Sequence, residues 1–322
     1  MPINFRFYFI SFLLMISQNH LLAQARIIIN NNAIMTMDNG VYLVVDNGNT
    51  NAITTAGTGG NIISEEENNK IKYARNLNLK KFRDEESAFV VEGIKFVLEA
   101  VNEGADIKLL LVSEEVLNKY EVGKLIDSVD KNNTAVCSAK VFESAADTVN
   151  AQGVLAIINK NTTVQNDVID KYNFIIMCDR IQDPGNLGTI IRIADAFGPA
   201  ALMANKGCVD IYNPKVVRAS AGAIFRVPFI HSEDDLKILN ILKDRGFYTV
   251  STVVDSEYTF DNIENRNKIC LVIGNEAQGV SENIIDNSDI AITIKMTGKA
   301  ESLNASVAAG ISIYEIRKKL LK

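Results

Sequence analysis

The chain has 322 residues, 47% hydrophobic and 22% charged, which excludes a disordered, collagen-like or multi-span membrane protein. This length allows about two domains. With 33 basic and 39 acidic residues the net charge is -6, so any nucleic-acid contact requires a local basic surface. The four cysteines lie far apart and only two histidines are present. We therefore expect reduced thiols and no zinc site.

Residues 1–25 have the pattern of a secretory signal. Arg6 precedes an apolar run, and Ala23-Gln24-Ala25 has the small-x-small form of a signal-peptidase site. The run is shorter than the about 20 residues of a transmembrane helix. The alternative is a hydrophobic N-terminal strand or helix. From this stretch alone a signal is favoured, which conflicts with the expectation of reduced intracellular thiols.

Residues 26–69 differ in composition from the rest of the chain, because Asn, Gly and Thr dominate them. Short apolar pieces between the polar residues predict small hairpin strands joined by Asn-Gly turns. This segment contains no catalytic pattern, and we assign it no function.

Residues 70–165 alternate strands and helices and predict a compact α/β domain. Strands are predicted at 89–91, 108–112 and 153–158, with helices at 92–103 and opening at 113–115. A basic run precedes the first of these strands and consists of Lys70, Lys72, Arg75, Lys80, Lys81 and Arg83. Such a run is most often a solvated helix face, so alone it is weak evidence for RNA binding.

Residues 166–322 predict a second α/β domain with a mainly parallel sheet. Its strands are uniformly apolar, as expected when helices cover both faces of a sheet. Ligands of such sheets bind in the loops beyond the carboxyl ends of the strands. The predicted strands are 174–178, 200–203, 247–251 and 269–273, and the helices are 189–197, 214–223, 234–245 and 305–321.

The loop after the first of these strands carries Asn186 and Arg192. With a helix beginning near Leu187, the two side chains would meet a ligand from one side. The alternative is an ordinary capped helix with a surface arginine.

Two later loops also carry polar residues. Gly274-Asn275-Glu276 follows a buried strand, and glycine there allows close backbone approach to a ligand, although the segment also fits a tight turn. It matches neither the Walker loop nor the dinucleotide fingerprint. Ser302 and Asn304 precede a helix rich in small residues, where the alternative role is N-capping.

In this order the loops resemble the SpoU/TrmH family of RNA ribose 2'-O-methyltransferases, in the SPOUT superfamily. The matching segments are 183–192, 274–279 and 302–308, together with 213–223, and the resemblance covers roughly residues 70–322. It implies a small α/β ribosomal-protein-like domain that binds the RNA substrate at 70–165. It also implies a methyltransferase domain at 166–322, whose parallel sheet ends in a C-terminal deep trefoil knot, a rare exception to normal chain connections.

The resemblance further implies S-adenosylmethionine as cofactor, a structured RNA (rRNA or tRNA) as substrate, no metal, and a homodimer whose active site borrows from both chains. Position by position, it assigns catalytic or substrate-site roles to Asn186, Arg192, Glu276, Ser302 and Asn304. It places Thr252, Gly274, Ile294, Met296 and Leu303 at the cofactor, and the expected RNA contacts are Lys80, Lys81, Arg83 and Arg218. Lys295 stands where the family usually has proline, which predicts a less rigid loop.

Methyl transfer to a hydroxyl is chiefly a problem of orienting two reactants. An ordinary arginine guanidinium is not a base at neutral pH. We therefore expect Arg192 to bind the adjacent phosphate and the developing alkoxide. Asn186, Ser302 and Asn304 would orient the ribose, and Glu276 would anchor the loops. The alternatives are a non-catalytic RNA-binding protein of the same fold and, from residues 1–25, a secreted or envelope protein in place of a cytoplasmic enzyme.

Overall fold

A computed structural model of the chain describes residues 61–63, 69–147, 151–160, 165–232, 234–264 and 266–321. The predicted signal segment at 1–25 and the hairpin strands predicted within 26–69 lie outside the described residues, and the described strand Asn61–Ile63 was not predicted. The described residues form two sheets with their helices. Among them, no helix has the length and apolar character needed to cross a membrane.

The first sheet has five strands in the spatial order β1-β4-β3-β5-β2. Its strands β1, β4 and β3 are parallel, whereas β5 runs antiparallel to both β3 and β2. The strands are β1 Asn61–Ile63, β2 Ala88–Glu92, β3 Ile107–Ser113, β4 Thr134–Cys137 and β5 Val154–Asn159. The helices are α1 Asn69–Asn76, α2 Lys80–Glu85, α3 Ile94–Asn102, α4 Tyr120–Ser128 and α5 Ala139–Ala145.

Both faces of the first sheet are covered, which explains the unbroken apolar run in β3. Successive side chains of a strand point to opposite faces. Leu109 and Leu111 accordingly pack in the core that contains Phe142, whereas Leu110 and Val112 pack in the core on the other face.

The second sheet has six strands, all parallel, in the order β11-β9-β10-β6-β7-β8. The prediction of a mainly parallel sheet is therefore confirmed. Its strands are β6 Phe174–Asp179, β7 Ala201–Ala204, β8 Phe229–His231, β9 Tyr248–Val253, β10 Ile269–Gly274 and β11 Ile290–Thr293. Its helices are α6 Gln165–Lys171, α7 Pro184–Ala196, α8 Pro214–Ala219, α9 Asp235–Asp244, α10 Glu282–Asp286 and α11 Ala305–Leu320.

Two predicted helices have different bounds in the structure. Helix α7 begins at Pro184, three residues before Leu187 and five before Thr189, because Asp183 caps it and proline suits the first helical position. Helix α8 ends at Ala219, since Ala221 and Gly222 have φ of 50° and 88°, outside the right-handed helical region.

Other differences involve short elements. The helix expected to open at 113–115 is only the 3-10 turn Glu114–Val116, which Ser113 does not cap through its side chain. The strands β8 and β11 were not predicted, because three or four residues carry too little periodicity. Further 3-10 turns are Lys131–Asn133, Ala223–Phe225 and Phe260–Asn262.

Arg83 lies in the contact between the two sheet domains and not on an RNA-binding surface. Its side chain is only 2% exposed. Nε and Nη2 lie 2.9 and 2.7 Å from Oδ2 of Asp210, and Nη1 donates to the carbonyl oxygens of Leu77 and Asn78, both at 2.8 Å. The expectation that Arg83 binds RNA is therefore wrong, because all of this donor capacity is directed into the protein.

Aromatic side chains extend this contact between the domains. The ring of Phe89 on β2 lies 4.7 Å from that of Tyr212 and 6.4 Å from that of Phe225. The backbone also approaches closely, because a Cβ added at Gly222 would lie 1.5 Å from Oε2 of Glu99. The second sheet domain is thus packed directly against the first.

Candidate cofactor and catalytic site

A cavity of about 340 Å³ lies at the carboxyl ends of β9, β10 and β11. This is the edge at which parallel sheets bind ligands, and the volume falls in the range of about 300–1,000 Å³ of small-molecule sites. All five residues predicted to meet the cofactor line this cavity: Thr252, Gly274, Ile294, Met296 and Leu303. Glu276 and Ser302 line it as well.

Asn186 is held at the third position of α7. The carboxylate of Asp183 accepts a hydrogen bond from the backbone N–H of Asn186 at 2.8 Å, and Pro184 occupies the start of the helix. This cap satisfies a backbone donor that the helix itself leaves unpaired. The amide side chain of Asn186 is consequently left to bond elsewhere.

The side chain of Asn186 joins the three polar loops. Its Nδ2 donates to Oε1 of Glu276, 90 positions later in the chain, and its Oδ1 accepts from Nδ2 of Asn304 at 2.9 Å, 118 positions later. The loops after β6 and β10 and the start of α11 therefore meet at one point beside the cavity.

Asn304 caps α11 and also donates a hydrogen bond to Asn186. Its Oδ1 accepts from the backbone N–H groups of Ser306 and Val307 at 3.0 and 3.3 Å, so it is the N-cap of α11. Because Oδ1 is used in this way, Nδ2 is directed at Asn186. Capping fixes the orientation of the site amide.

The turn at 275–279 carries Glu276 and closes on itself. Asn275 and Gly279 exchange two backbone hydrogen bonds, of 3.2 and 2.8 Å, and Oδ1 of Asn275 accepts from the N–H of Ala277 at 2.8 Å. A Cβ at Gly274 would lie 2.2 Å from the carbonyl carbon of Gly279. Glycine is thus required there by the backbone of the turn itself, and not only for close approach to a ligand.

Arg192 is exposed on α7, and among the described residues it makes no hydrogen bond or ion pair. An α-helix turns by about 100° per residue, so Asn186 and Arg192 leave the helix about 120° apart. That the two side chains meet one ligand from one side stays a prediction.

Lys295, which stands where the family usually has proline, lies on the solvent side of its loop. Lys295 is exposed, whereas Ile294 and Met296 on either side of it line the cavity. The side chain at this position therefore does not contribute to the cavity wall.

The remaining basic residues predicted to bind RNA are at or near the surface. Lys80 is exposed, and Lys81 is 82% exposed with Nζ 3.7 Å from Glu85. Arg218 is partly exposed, and its Nη2 donates to Asp147 at 3.0 Å. Their RNA contacts stay a prediction.

All four cysteines are free, and Cys137, Cys178 and Cys270 are buried whereas Cys208 is partly buried. Burial raises the pKa of the Cys137 and Cys270 thiols to about 12 and that of Cys208 to about 11. Among the described residues, no group of three or more potential ligands is arranged to hold a metal ion.

The lining of the cavity fits S-adenosylmethionine (AdoMet). The lining includes the apolar residues Val253, Ile273, Leu303 and Ala308, which suit an adenine ring. It also includes all five residues of the turn 275–279, three of which have polar side chains. The hydroxyl of Thr252 donates to the carbonyl of Val272 at 2.9 Å, so its oxygen keeps acceptor capacity.

The parallel sheet, the cavity at its carboxyl edge and the converged amides define an α/β protein with a nucleotide-cofactor site. Comparison with known proteins shows that residues 173–314 match the SpoU rRNA Methylase family and residues 68–156 the MRM3-like substrate binding domain.

Curated relatives agree with these family matches. The 23S rRNA (guanosine(2553)-2'-O)-methyltransferase RlmP of Bacillus subtilis strain 168 is 28% identical over 255 residues, covering 79% of this chain and 98% of the relative. A protein of Staphylococcus aureus strain MSSA476, assigned to the TrmH family of tRNA/rRNA methyltransferases, is 32% identical over 240 residues, covering 71% of this chain and 96% of the relative.

A solved structure extends the similarity to the fold. The crystal structure of an AdoMet-bound rRNA methyltransferase from Sinorhizobium meliloti has a TM-score of 0.73 and 28% identity, covering 81% of this chain and 98% of that one. The chain belongs to the SpoU/TrmH family of methyltransferases, as its loops indicated.

Proposed function

We propose that the protein transfers a methyl group from AdoMet to a ribose 2'-hydroxyl of structured ribosomal or transfer RNA. The observation that carries this proposal is the pair of hydrogen bonds that join the side chain of Asn186 to Glu276 and Asn304 beside a cavity that fits the cofactor. Membership of the SpoU/TrmH family supports the same reaction class. We place the reaction in the cytoplasm, where the cofactor and the RNA occur.

When bound, AdoMet supplies an activated methyl group on a sulfonium. The side chains of Asn304, Ser302 and Asn186 then orient the ribose hydroxyl by hydrogen bonds, which restricts the reacting oxygen to one approach. Glu276 keeps the turn 275–279 against Asn186. Arg192 stabilises the negative charge of the neighbouring phosphate and of the developing alkoxide, and the hydroxyl proton is released to water.

The active enzyme in this proposal is a homodimer. Helix α11 carries an exposed apolar stripe at Val307, Ile311 and Tyr314, which follow the spacing of one helix face. The ring of Phe197 at the end of α7 lies 5.6 Å from that of Tyr314 and extends the stripe. A second copy of the chain covers it, and Arg192 of one protomer completes the site of the other.

The chain between β11 and α11 forms the expected knot in this proposal. Strand β11 lies at the edge of the sheet beside β9, whereas Asn304 at the start of α11 bonds to Asn186 on α7. Residues 294–303 must therefore run back from the sheet edge towards α7. We expect this segment to thread beneath the turn 275–279.

RNA is bound across both domains in this proposal. Lys80 and Lys81 lie within the segment that matches a substrate binding domain, and Arg218 lies on the neighbouring domain. Their charges provide the local basic surface that a protein of net charge -6 needs for phosphate contacts.

Replacement of Arg192 by alanine tests the proposed reaction. We expect Arg192→Ala to abolish transfer of tritiated methyl groups to bulk RNA and to leave AdoMet binding by calorimetry unchanged. Arg266→Ala is the matched control, because Arg266 is also exposed but lies away from the cavity. Unchanged turnover in Arg192→Ala would remove its role, and RNA binding without any transfer by the wild type would favour the non-catalytic alternative.

A further inference from the structure

Arg180 holds an unfavourable backbone conformation next to the proposed cofactor cavity. It directly follows β6, and its φ of 56° lies in the left-handed region. Among the described residues, only Ser87 and Ala221 share a positive φ without being glycine. Such strain persists only where the surroundings impose it, and it is concentrated at functional sites.

The contacts of Arg180 are directed at the turn 275–279. Nη1 donates to Oε1 of Gln278 at 2.8 Å, and Nη2 donates to the carbonyl oxygen of Gly279 at 3.3 Å. The carbonyl oxygen of Arg180 itself accepts from Nδ2 of Asn275 at 2.9 Å. The side chain and the backbone of one residue thus bind the first, fourth and last residues of the turn.

Arg180 is in turn anchored to the sheet. Its N–H donates to Oδ1 of Asn205 at 2.8 Å, and its Nε lies 3.3 Å from Oδ1 of Asp179. Asp179 is fully buried, and its other oxygen accepts from the N–H and the hydroxyl of Ser281 at 2.7 and 2.5 Å. Asp179 therefore also fixes the chain where it leaves the turn.

The structure provides space for the Arg180 side chain. Gly207, with a φ of 109°, packs against it, and a Cβ at that position would lie 3.0 Å from Cγ of Arg180. Because Gly207 has no side chain, it leaves room for the aliphatic stem of Arg180 beside it.

We infer that Arg180 is a positioning residue for AdoMet binding, an inference that rests on the proposed function. Arg180 is not among the residues that line the cavity, but Asn275, Gln278 and Gly279 are. By binding these three residues it keeps the turn closed as a cavity wall and holds Glu276 towards Asn186. Glycine at position 180 would relieve the backbone strain but would leave the turn unheld.

The test uses variants of the full chain and measures two quantities for each, the melting temperature and the dissociation constant for AdoMet. Arg180→Gly relieves the backbone strain, because glycine adopts positive φ freely, but it should still melt below the wild type, because it removes the charge beside the fully buried Asp179. Its dissociation constant for AdoMet should rise about 10- to 100-fold, the scale of lost hydrogen bonds to a charged group. The KM for AdoMet should rise with it, whereas the KM for RNA should stay unchanged.

Ser87→Gly is the matched control, because it relieves the same kind of strain at an exposed position outside the cavity, and it should bind AdoMet like the wild type. Arg180→Met keeps the stem but has no donors, and it should weaken binding similarly. Wild-type affinity in Arg180→Gly overturns the inference. If Arg180→Gly does not fold, wild-type affinity in Arg180→Met overturns it. Failure of the wild type to bind AdoMet would instead refute the proposed function.

Discussion

Replacement of Arg83 by methionine should destabilise the protein strongly but leave the salt dependence of RNA binding by the protein unchanged. The guanidinium is 2% exposed and its partner Asp210 is 10% exposed, so the substitution leaves a nearly buried carboxylate without its counter-charge. Removing one partner of a buried ion pair costs about 3–5 kcal/mol. The carbonyls of Leu77 and Asn78 also lose their donor.

At about 2–4 °C per kcal/mol for a domain of this size, the melting temperature of Arg83→Met should fall by about 6–20 °C. Circular dichroism on heating and urea unfolding both measure this loss. Lys81→Met is the matched control, since Lys81 lies on the same helix but is 82% exposed. It should melt within about 1–2 °C of the wild type, because exposed ion pairs contribute about 0–1 kcal/mol.

In RNA binding, Lys81→Met should show the larger change of the two variants. If Lys81 contacts a phosphate, Lys81→Met should reduce the slope of log affinity against log salt by about 0.7–0.9, whereas Arg83→Met should retain the wild-type slope. A variant Arg83→Met with wild-type stability and a reduced salt slope would refute the assignment of Arg83 to the contact between the domains.

Three further outcomes are expected. Gly274→Ala should destabilise the fold by about 1–3 kcal/mol and abolish AdoMet binding because its Cβ would overlap the turn backbone, whereas Gly298→Ala, with open space around it, should do neither. Asn304→Asp should keep the helix cap and the melting temperature but lose most methyl transfer, because it cannot donate to Asn186; wild-type turnover would contradict this. Burial raises the pKa of Cys208 to about 11, so its alkylation should be slow at pH 8 and become about tenfold faster per pH unit towards pH 10. For the same reason the free energy of unfolding should fall as the pH rises above about 9. Rapid labelling of the folded protein at pH 8 would be inconsistent with this.

Patterns within one element were sufficient to predict much of the fold. The apolar run of Ile269–Ile273 predicted a strand covered on both faces, and β10 is the central strand between β9 and β6. Asn304 could be assigned as a helix cap from its position before a run of small residues. The polar loops could be placed at one edge because parallel strands present their carboxyl ends together.

Features that depend on distant partners could not be predicted in this way. Arg83 is part of a basic run, and nothing in the local sequence distinguishes it from its exposed neighbours. It is buried because it pairs with Asp210, 127 residues later in the chain. Arg180 carries no local sign of positive φ, because glycine is the usual residue there. Its conformation depends on Asn205 and on the turn 275–279, which only the folded sheet brings together.

Identification of the methylated nucleoside tests the central claim most directly. The wild type and Asn304→Asp are incubated with RNA and AdoMet labelled in the methyl group, the RNA is digested to nucleosides, and the label is located by chromatography and mass spectrometry. The convergence of Asn186, Glu276 and Asn304 predicts label on the ribose 2'-oxygen of one nucleoside with the wild type, and a greatly reduced signal with the variant. Label on a base, or equal ribose methylation by both proteins, would contradict it.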